Sequence, residues 1–175
     1  MTNETIGSPV DLEALWGRPG FLIRRAHQLA QALFLEEMGD LGVTPTQYGI
    51  MRILSVCPGV DQIGVAKLLG QDRSTTAFVL DKLVLDGLVE RRANPSDRRR
   101  RELALTVRGS DVLGTLADRV RRAQEKLVSP LSAADAEQLL ALLRKLVDAF
   151  NDVARTPLDP TAVERMAIGP RTKAT

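Results

Sequence analysis

Apolar residues recur along most of this chain at the three- and four-residue spacing of helices with one buried face. From Pro19, the set Phe21, Leu22, Ala26, Leu29, Ala30, Leu33 and Phe34 predicts a helix to about Leu41, which Gly42 ends. Thr44-Pro45 reads as an N-cap followed by proline at the first helical position, opening a helix over Pro45 to Val56 with Tyr48, Met51 and Leu54 facing inward. Pro58-Gly59 stops it. A short helix over Gln62 to Leu69 breaks at Gly70, and Asp72 caps another from Arg73 to Asp86 with Val79, Leu80 and Leu83 on one side. Two short helices across a tight glycine-containing turn form a helix-turn-helix.

After Gly87 the period changes. Leu88 to Arg92 and Glu102 to Leu105 read as two strands around the turn residues Asn94-Pro95-Ser96-Asp97. Thr106 caps a long helix to about Val128, striped by Leu113, Leu116, Val120, Ala123 and Leu127. Beyond Pro130, Ser132 opens a capping-box pattern with Asp135 in place of the usual Glu. The last helix runs to about Ala154 and turns Leu139, Leu142, Leu143, Leu146 and Phe150 toward a partner. The predicted fold is therefore mainly α with a small β-wing. It comprises one winged helix-turn-helix domain over 19–155, with a reading lobe at 44–105 and dimerisation helices at 19–41 and 106–154. Residues 1–18 form a weakly patterned extension, and prolines with a drifting composition predict a flexible tail over 156–175.

Composition narrows the function. The 175 residues are 44% hydrophobic, 26% charged and only 3% aromatic, which suits packed helices. The net charge is +2, yet Arg91 to Arg101 holds six arginines and one aspartate, a local charge of +5. One basic spot on a near-neutral chain implies a directed contact. The single cysteine, Cys57, excludes a disulfide within one chain and a cysteine zinc site, and there is one histidine. Cys57 has two readings, a redox switch or a small buried thiol without a resolving partner. Met1 to Val10 lacks an apolar signal core, and no stretch reaches the roughly 18 apolar residues of a membrane span. A cytoplasmic protein is expected. Glu36 and Glu37 are adjacent, so they point to different sides of a helix and read as solvated charge rather than an acid/base pair. With neither a phosphate-binding glycine loop nor a serine-hydrolase elbow, the chain reads as no enzyme, and no cofactor or metal is expected.

In such a reading lobe the second helix enters the major groove, where base edges carry a readable donor and acceptor pattern, and the arginine hairpin reaches the minor groove. Arg73, Ser74, Thr75 and Ala77 are the candidate major-groove residues, with Lys67 near phosphate. Phe78 lies off the Val79/Leu83 face and has two readings, contact with a thymine methyl or burial. Arg99 is the minor-groove candidate, held by Asp97 through a charge-assisted pair, while Arg98, Arg100 and Arg101 serve phosphates or solvent.

The segment DGLVERRANPSDRR from Asp86 to Arg99, followed by LALTVRG at 103 to 109, resembles the wing of the MarR family of bacterial regulators. LLGQDRSTT at 68 to 76 resembles that family's turn and recognition-helix start, and the resemblance spans roughly residues 20 to 152. It departs from the family at Phe78, where relatives commonly carry a polar or basic residue. The resemblance implies a homodimer with interwound terminal helices, a pseudo-palindromic double-stranded DNA operator, and release by a small aromatic anion. The opening RPGFLIRR, 18 to 25, is similar to a subgroup linked to aromatic-acid catabolism. Candidate effector contacts are Arg24, His27 and Gln28 on the first helix with Tyr48 and Met51 on the second. The plainer readings are a partly buried, hydrogen-bonded His27 and a packing role for Tyr48. The rivals to a ligand-released repressor are a winged-helix protein-interaction module and a non-specific chromosome-coating protein.

Overall fold

The computed structural model describes residues 9–93 and 101–162. Among these residues, seven α-helices and two strands follow in the order α1 (Pro9–Trp16), α2 (Pro19–Met38), α3 (Pro45–Val56), α4 (Gln62–Leu69), α5 (Arg73–Leu85), β1 (Val89–Ala93), β2 (Arg101–Leu105), α6 (Val107–Val128) and α7 (Ala133–Ala149). The helix starts are set by side chains that satisfy otherwise orphaned N–H groups. Thr44 Oγ1 accepts from the Gln47 N–H while the Thr44 N–H donates 2.8 Å to Gln47 Oε1, a complete reciprocal box. Asp61 accepts from the Gly64 N–H at 2.8 Å and Asp72 from the Thr75 N–H at 2.8 Å. Ser132 Oγ accepts from the Asp135 N–H at 3.2 Å but donates to Asp135 Oδ2 at 2.6 Å. The aspartate is spent on the hydroxyl, so the predicted box forms only its first half.

Two cores result. In the reading lobe, Ile50, Met51, Leu54, Val65, Leu80, Leu83, Val89 and Leu103 close against one another with Cys57 among them. The second core is smaller: Phe34 and Met38 of α2 meet Val43 and Leu116 of α6, with Tyr48 half-buried beside them. The Phe34 and Tyr48 rings sit 6.1 Å apart at 55°. The wing strands pair antiparallel from Val89↔Leu105 to Ala93↔Arg101. The α3–α4 loop joins them, because the Gly59 N–H donates to Leu103 O at 2.9 Å and the Leu103 N–H to Val60 O at 3.1 Å.

One glycine fixes how the lobe meets the long helix. A Cβ on Gly109 would stand 2.0 Å from the Leu88 carbonyl oxygen, so only glycine lets the first turn of α6 lie on the strand entrance. Thr106 fastens the same corner, accepting from the Gly109 N–H at 2.9 Å and donating to Gly87 O at 2.7 Å. Along the α2–α6 contact, Arg119 donates to Met38 O at 2.9 Å and so caps α2. Arg122 binds Glu37 at 3.0 Å and Lys126 binds Glu36 at 2.8 Å. Both glutamates are thus paired to α6; Glu36 stays exposed, as solvated charge predicts, whereas Glu37 is largely covered, a correction to that reading.

Both chain ends depart from expectation. Residues 9–16 of the weakly patterned extension form α1. Residues 156–162, expected in a flexible tail, lie against the reading lobe, and Ala162 is buried. The helix predicted to run to Ala154 ends at Ala149 and passes into a 3-10 turn, Asn151–Val153. Among the described residues, no helix is long and apolar enough to cross a membrane.

Candidate nucleic-acid interface

Helix α5 is amphipathic in an unusual sense: its buried residues are Thr76, Leu80 and Leu83, and its outer stripe is Ser74, Thr75, Phe78, Asp81, Lys82 and Leu85. Phe78 is 73% exposed, which removes the buried alternative for that ring. Arg73 is exposed at the first helical position, Lys67 is exposed one helix earlier, and Ala77 is half-buried at the edge of the stripe. The structure therefore brings Lys67, Arg73, Ser74, Thr75 and Phe78 to one surface, with Ala77 partly withdrawn from it.

Asp72 organises the start of this helix. Its Oδ1 accepts from the Ser74 hydroxyl at 2.6 Å and the Thr75 N–H at 2.8 Å, and its Oδ2 accepts from the Thr75 hydroxyl at 2.7 Å. These bonds, the Ser74 hydroxyl foremost, hold its carboxyl well below the usual carboxylate range, and the charge of Arg155 adds to them. A hydroxyl has one proton to give. With that proton directed at Asp72, Ser74 and Thr75 offer the outside only acceptor lone pairs.

The wing is tied to the same helix. Arg91 of β1 reaches Asp81 of α5 at 2.6 Å, and Arg92 pairs with Glu90 on its own strand. Asp97, Arg98, Arg99 and Arg100, predicted for the minor groove and the phosphates, lie outside the described residues. Arg101 is exposed at the start of β2.

The five predicted effector contacts do not converge within one chain. Met51 has no exposed surface and is a core residue of the reading lobe, which corrects its assignment to a pocket wall. Tyr48 packs on Phe34. Arg24, His27 and Gln28 are exposed on α2, two turns before Phe34, so within one chain His27 is not the partly buried group of the plainer reading. Arg24 stands over the Phe21 ring at 4.9 Å, and Gln28 Oε1 accepts from Arg25 at 2.9 Å. Cys57 is buried in the lobe core, in line with the small-thiol reading.

Sequence reasoning missed Arg155. It lines a cleft of about 340 Å³ with Lys67 and Arg73. No periodic signal marks residues 155–159, and only the fold brings them to α4.

The MarR family model matches residues 43–100, from the residue before the α3 cap to the residue before β2. The transcriptional regulator HosA of Escherichia coli O111:H- is 30% identical over 127 residues, which cover 73% of this chain and 93% of HosA. The transcriptional repressor CouR, solved bound to a 23-mer DNA duplex, superposes with a TM-score of 0.71 at 30% identity over 76% of this chain and 94% of that one. BpsR of Bordetella bronchiseptica, solved to explain regulation of its DNA binding by 6-hydroxynicotinic acid, gives a TM-score of 0.72 at 25% identity over 76% of this chain and 95% of that one. By that family match and by relatives of this identity and coverage, the chain belongs to the MarR family and is a transcriptional regulator.

Proposed function

We propose that the protein is a homodimeric repressor that binds a pseudo-palindromic operator and leaves it when a small aromatic acid binds. The observation that carries the reading is the outward stripe of α5, where two hydroxyls and an exposed phenyl ring project beside cations. In the major groove, amino groups of adenine and cytosine are the donors and the thymine methyl is the apolar mark. Acceptor-only Ser74 and Thr75 suit those amino groups, and Phe78 suits the methyl. The arginines of the wing tip, Arg99 with Asp97 above all, fit the electronegative minor groove. Lys67, Arg73, Arg98 and Arg100 fit phosphates.

The dimer rests on unpartnered apolar surface. Helix α7 buries no residue, and Leu139, Leu142, Leu143, Leu146 and Phe150 are all exposed, as are Leu22, Ile23 and Leu29 on α2. Covering both faces with a second copy would set two recognition helices about one DNA turn apart, roughly 34 Å. The effector would then sit on the α2 face that the partner covers, with Arg24 for its carboxylate and His27 and Gln28 beside it. BpsR, whose DNA binding is regulated by 6-hydroxynicotinic acid, supports an aromatic acid as the class. Such a ligand releases DNA if it prefers a different spacing of the two lobes.

Footprinting on the fragment upstream of the protein's own gene tests this directly. A sharp palindromic footprint, lost in Arg99→Ala and relieved by a hydroxylated aromatic acid, is expected. Uniform coating of every fragment, or indifference to all of them at low salt, would overturn it.

A further inference from the structure

The chain beyond α7 folds back onto the helix-turn-helix. Asn151 clasps Leu158 from both sides, its Nδ2 donating to Leu158 O at 2.9 Å and its Oδ1 accepting from the Leu158 N–H at 2.9 Å. The Asp159 N–H then donates to Lys67 O at 3.1 Å, satisfying a carbonyl in the last turn of α4. Leu158 lies over Gly70, the left-handed residue of the turn, where a Cβ would be 3.6 Å away. Ala162 is 3% exposed. The segment is therefore bound to the turn between α4 and α5 by hydrogen bonds and packing.

This docking has an electrostatic result. Arg155 is carried to the mouth of the cleft beside Lys67 of α4 and Arg73, the first residue of α5. Three cations from three separate elements line it, against Asp159 in the lining, whose carboxylate accepts from the Thr161 hydroxyl at 2.7 Å, and Asp72 nearby, whose charge interacts with that of Arg155. Ile63 and Pro157 supply apolar wall. Cations gathered around a concave site, in excess of acids, fit an oxyanion. The place is also specific. In helix-turn-helix docking the recognition helix presents its N-terminal residues to base edges while the preceding helix crosses the backbone. A cleft lined by the preceding helix, the first residue of the recognition helix and residues 155–159 would, in that docking, face the sugar–phosphate strand.

We propose that this cleft binds a phosphate of the DNA backbone, and that Arg155 is a phosphate-contacting residue delivered to the reading head from beyond the dimerisation helix. The inference rests on the DNA-binding reading given above. Its ligand class is a phosphodiester, and its role is to position the head, so the contact carries no base preference.

The test measures the affinity of full-length wild type, Arg155→Gln and Arg155→Lys for a random-sequence duplex across a range of salt. Each phosphate contact contributes about 0.9 to the slope of log affinity against log salt, so loss from both copies of a dimer lowers it by about 1.8 in Arg155→Gln. Arg155→Lys should keep the slope. Arg155 is exposed, and unchanged circular dichroism checks that the fold persists. An unchanged slope in Arg155→Gln, with wild type binding normally, overturns this inference alone. Stabilisation of wild type but not Arg155→Gln by inorganic phosphate, with the DNA slope unchanged, would make the cleft a free-anion site and overturn it too. Wild type that ignores the duplex at low salt would remove the DNA-binding reading and this inference with it.

Discussion

The reading lobe and the terminal helices are built of similar residues and end in opposite states. In the lobe, Leu80 and Leu83 of α5 have no exposed surface, and the wing, the α3–α4 loop and the start of α6 close over them. On α7, Leu142 is 58% exposed, and Phe150 at its C-terminal cap is 60% exposed. The first region is finished within one chain. The second carries the same apolar spacing, and among the described residues nothing covers it. A leucine stripe therefore states that a face will be buried, and only its neighbours decide whether the chain itself can bury it. The division suits the proposed homodimer, in which a self-sufficient head would be carried on helices that answer to a second copy.

The largest effect that would sharpen this contrast belongs to the corner joining the two regions. Gly109→Ala places a Cβ within 2.0 Å of a backbone oxygen that cannot move without opening the wing. We expect a loss of more than about 3 kcal/mol in urea unfolding, with the head and α6 failing together. A variant that unfolds like wild type would show that the lobe does not depend on the long helix.

A pair of charges on α7 comes next. Leu142→Asp with Leu146→Asp should convert the dimer to a monomer by sedimentation while the far-ultraviolet spectrum of the head survives. DNA affinity should fall steeply, because two linked half-site contacts become one. Retained dimerisation would mean that the exposed stripe is not the interface, and the comparison above would break.

Within the head, Phe78→Ala removes a ring that is 73% exposed and so should leave stability unchanged within about 0.5 kcal/mol. Its expected cost is at the operator, about 1–3 kcal/mol, from loss of an apolar base contact. Affinity for random duplex should not change. Equal losses on both duplexes would assign Phe78 to non-specific contact.

Much of the lobe was legible because its punctuation is local. Thr44-Pro45, Pro58-Gly59, Gly70, Asp72 and Gly87 each act through their own backbone or the next turn, so the bounds of α3 and α4 follow from the sequence. The phase of Val79 and Leu83 already placed Phe78 off the core face. Non-local facts were not legible. Met51 has the spacing of any inward residue, and nothing in the sequence distinguishes a core wall from a pocket wall. The pairing of Glu36 and Glu37 with α6 depends on residues 85 and 90 positions away. The docking of residues 156–162 depends on one carbonyl, one glycine and one asparagine clasp, none of which carries a period. Arg155 became a candidate only through that docking.

Asp72 offers the finest probe of the head, because its carboxyl is ionised far below its ordinary pKa of 3.8 by the Ser74 hydroxyl, the Thr75 N–H and the Thr75 hydroxyl. A carboxylate whose folded-state pKa is depressed stabilises the fold fully above its unfolded pKa and loses that contribution as pH falls toward the folded one. The melting-temperature difference between wild type and Asp72→Asn should therefore stay constant from about pH 8 to about pH 5 and shrink from about pH 4 downward. The other carboxylates titrate in both proteins and cancel in the difference. Arg155→Gln removes only the smallest of the influences on Asp72, so its own difference from wild type should be nearly flat over the same range. A gap between wild type and Asp72→Asn that holds undiminished to about pH 3 would mean that the carboxylate's charge is not what the cap uses. Ser74 and Thr75 would then be free to turn their protons outward toward base acceptors.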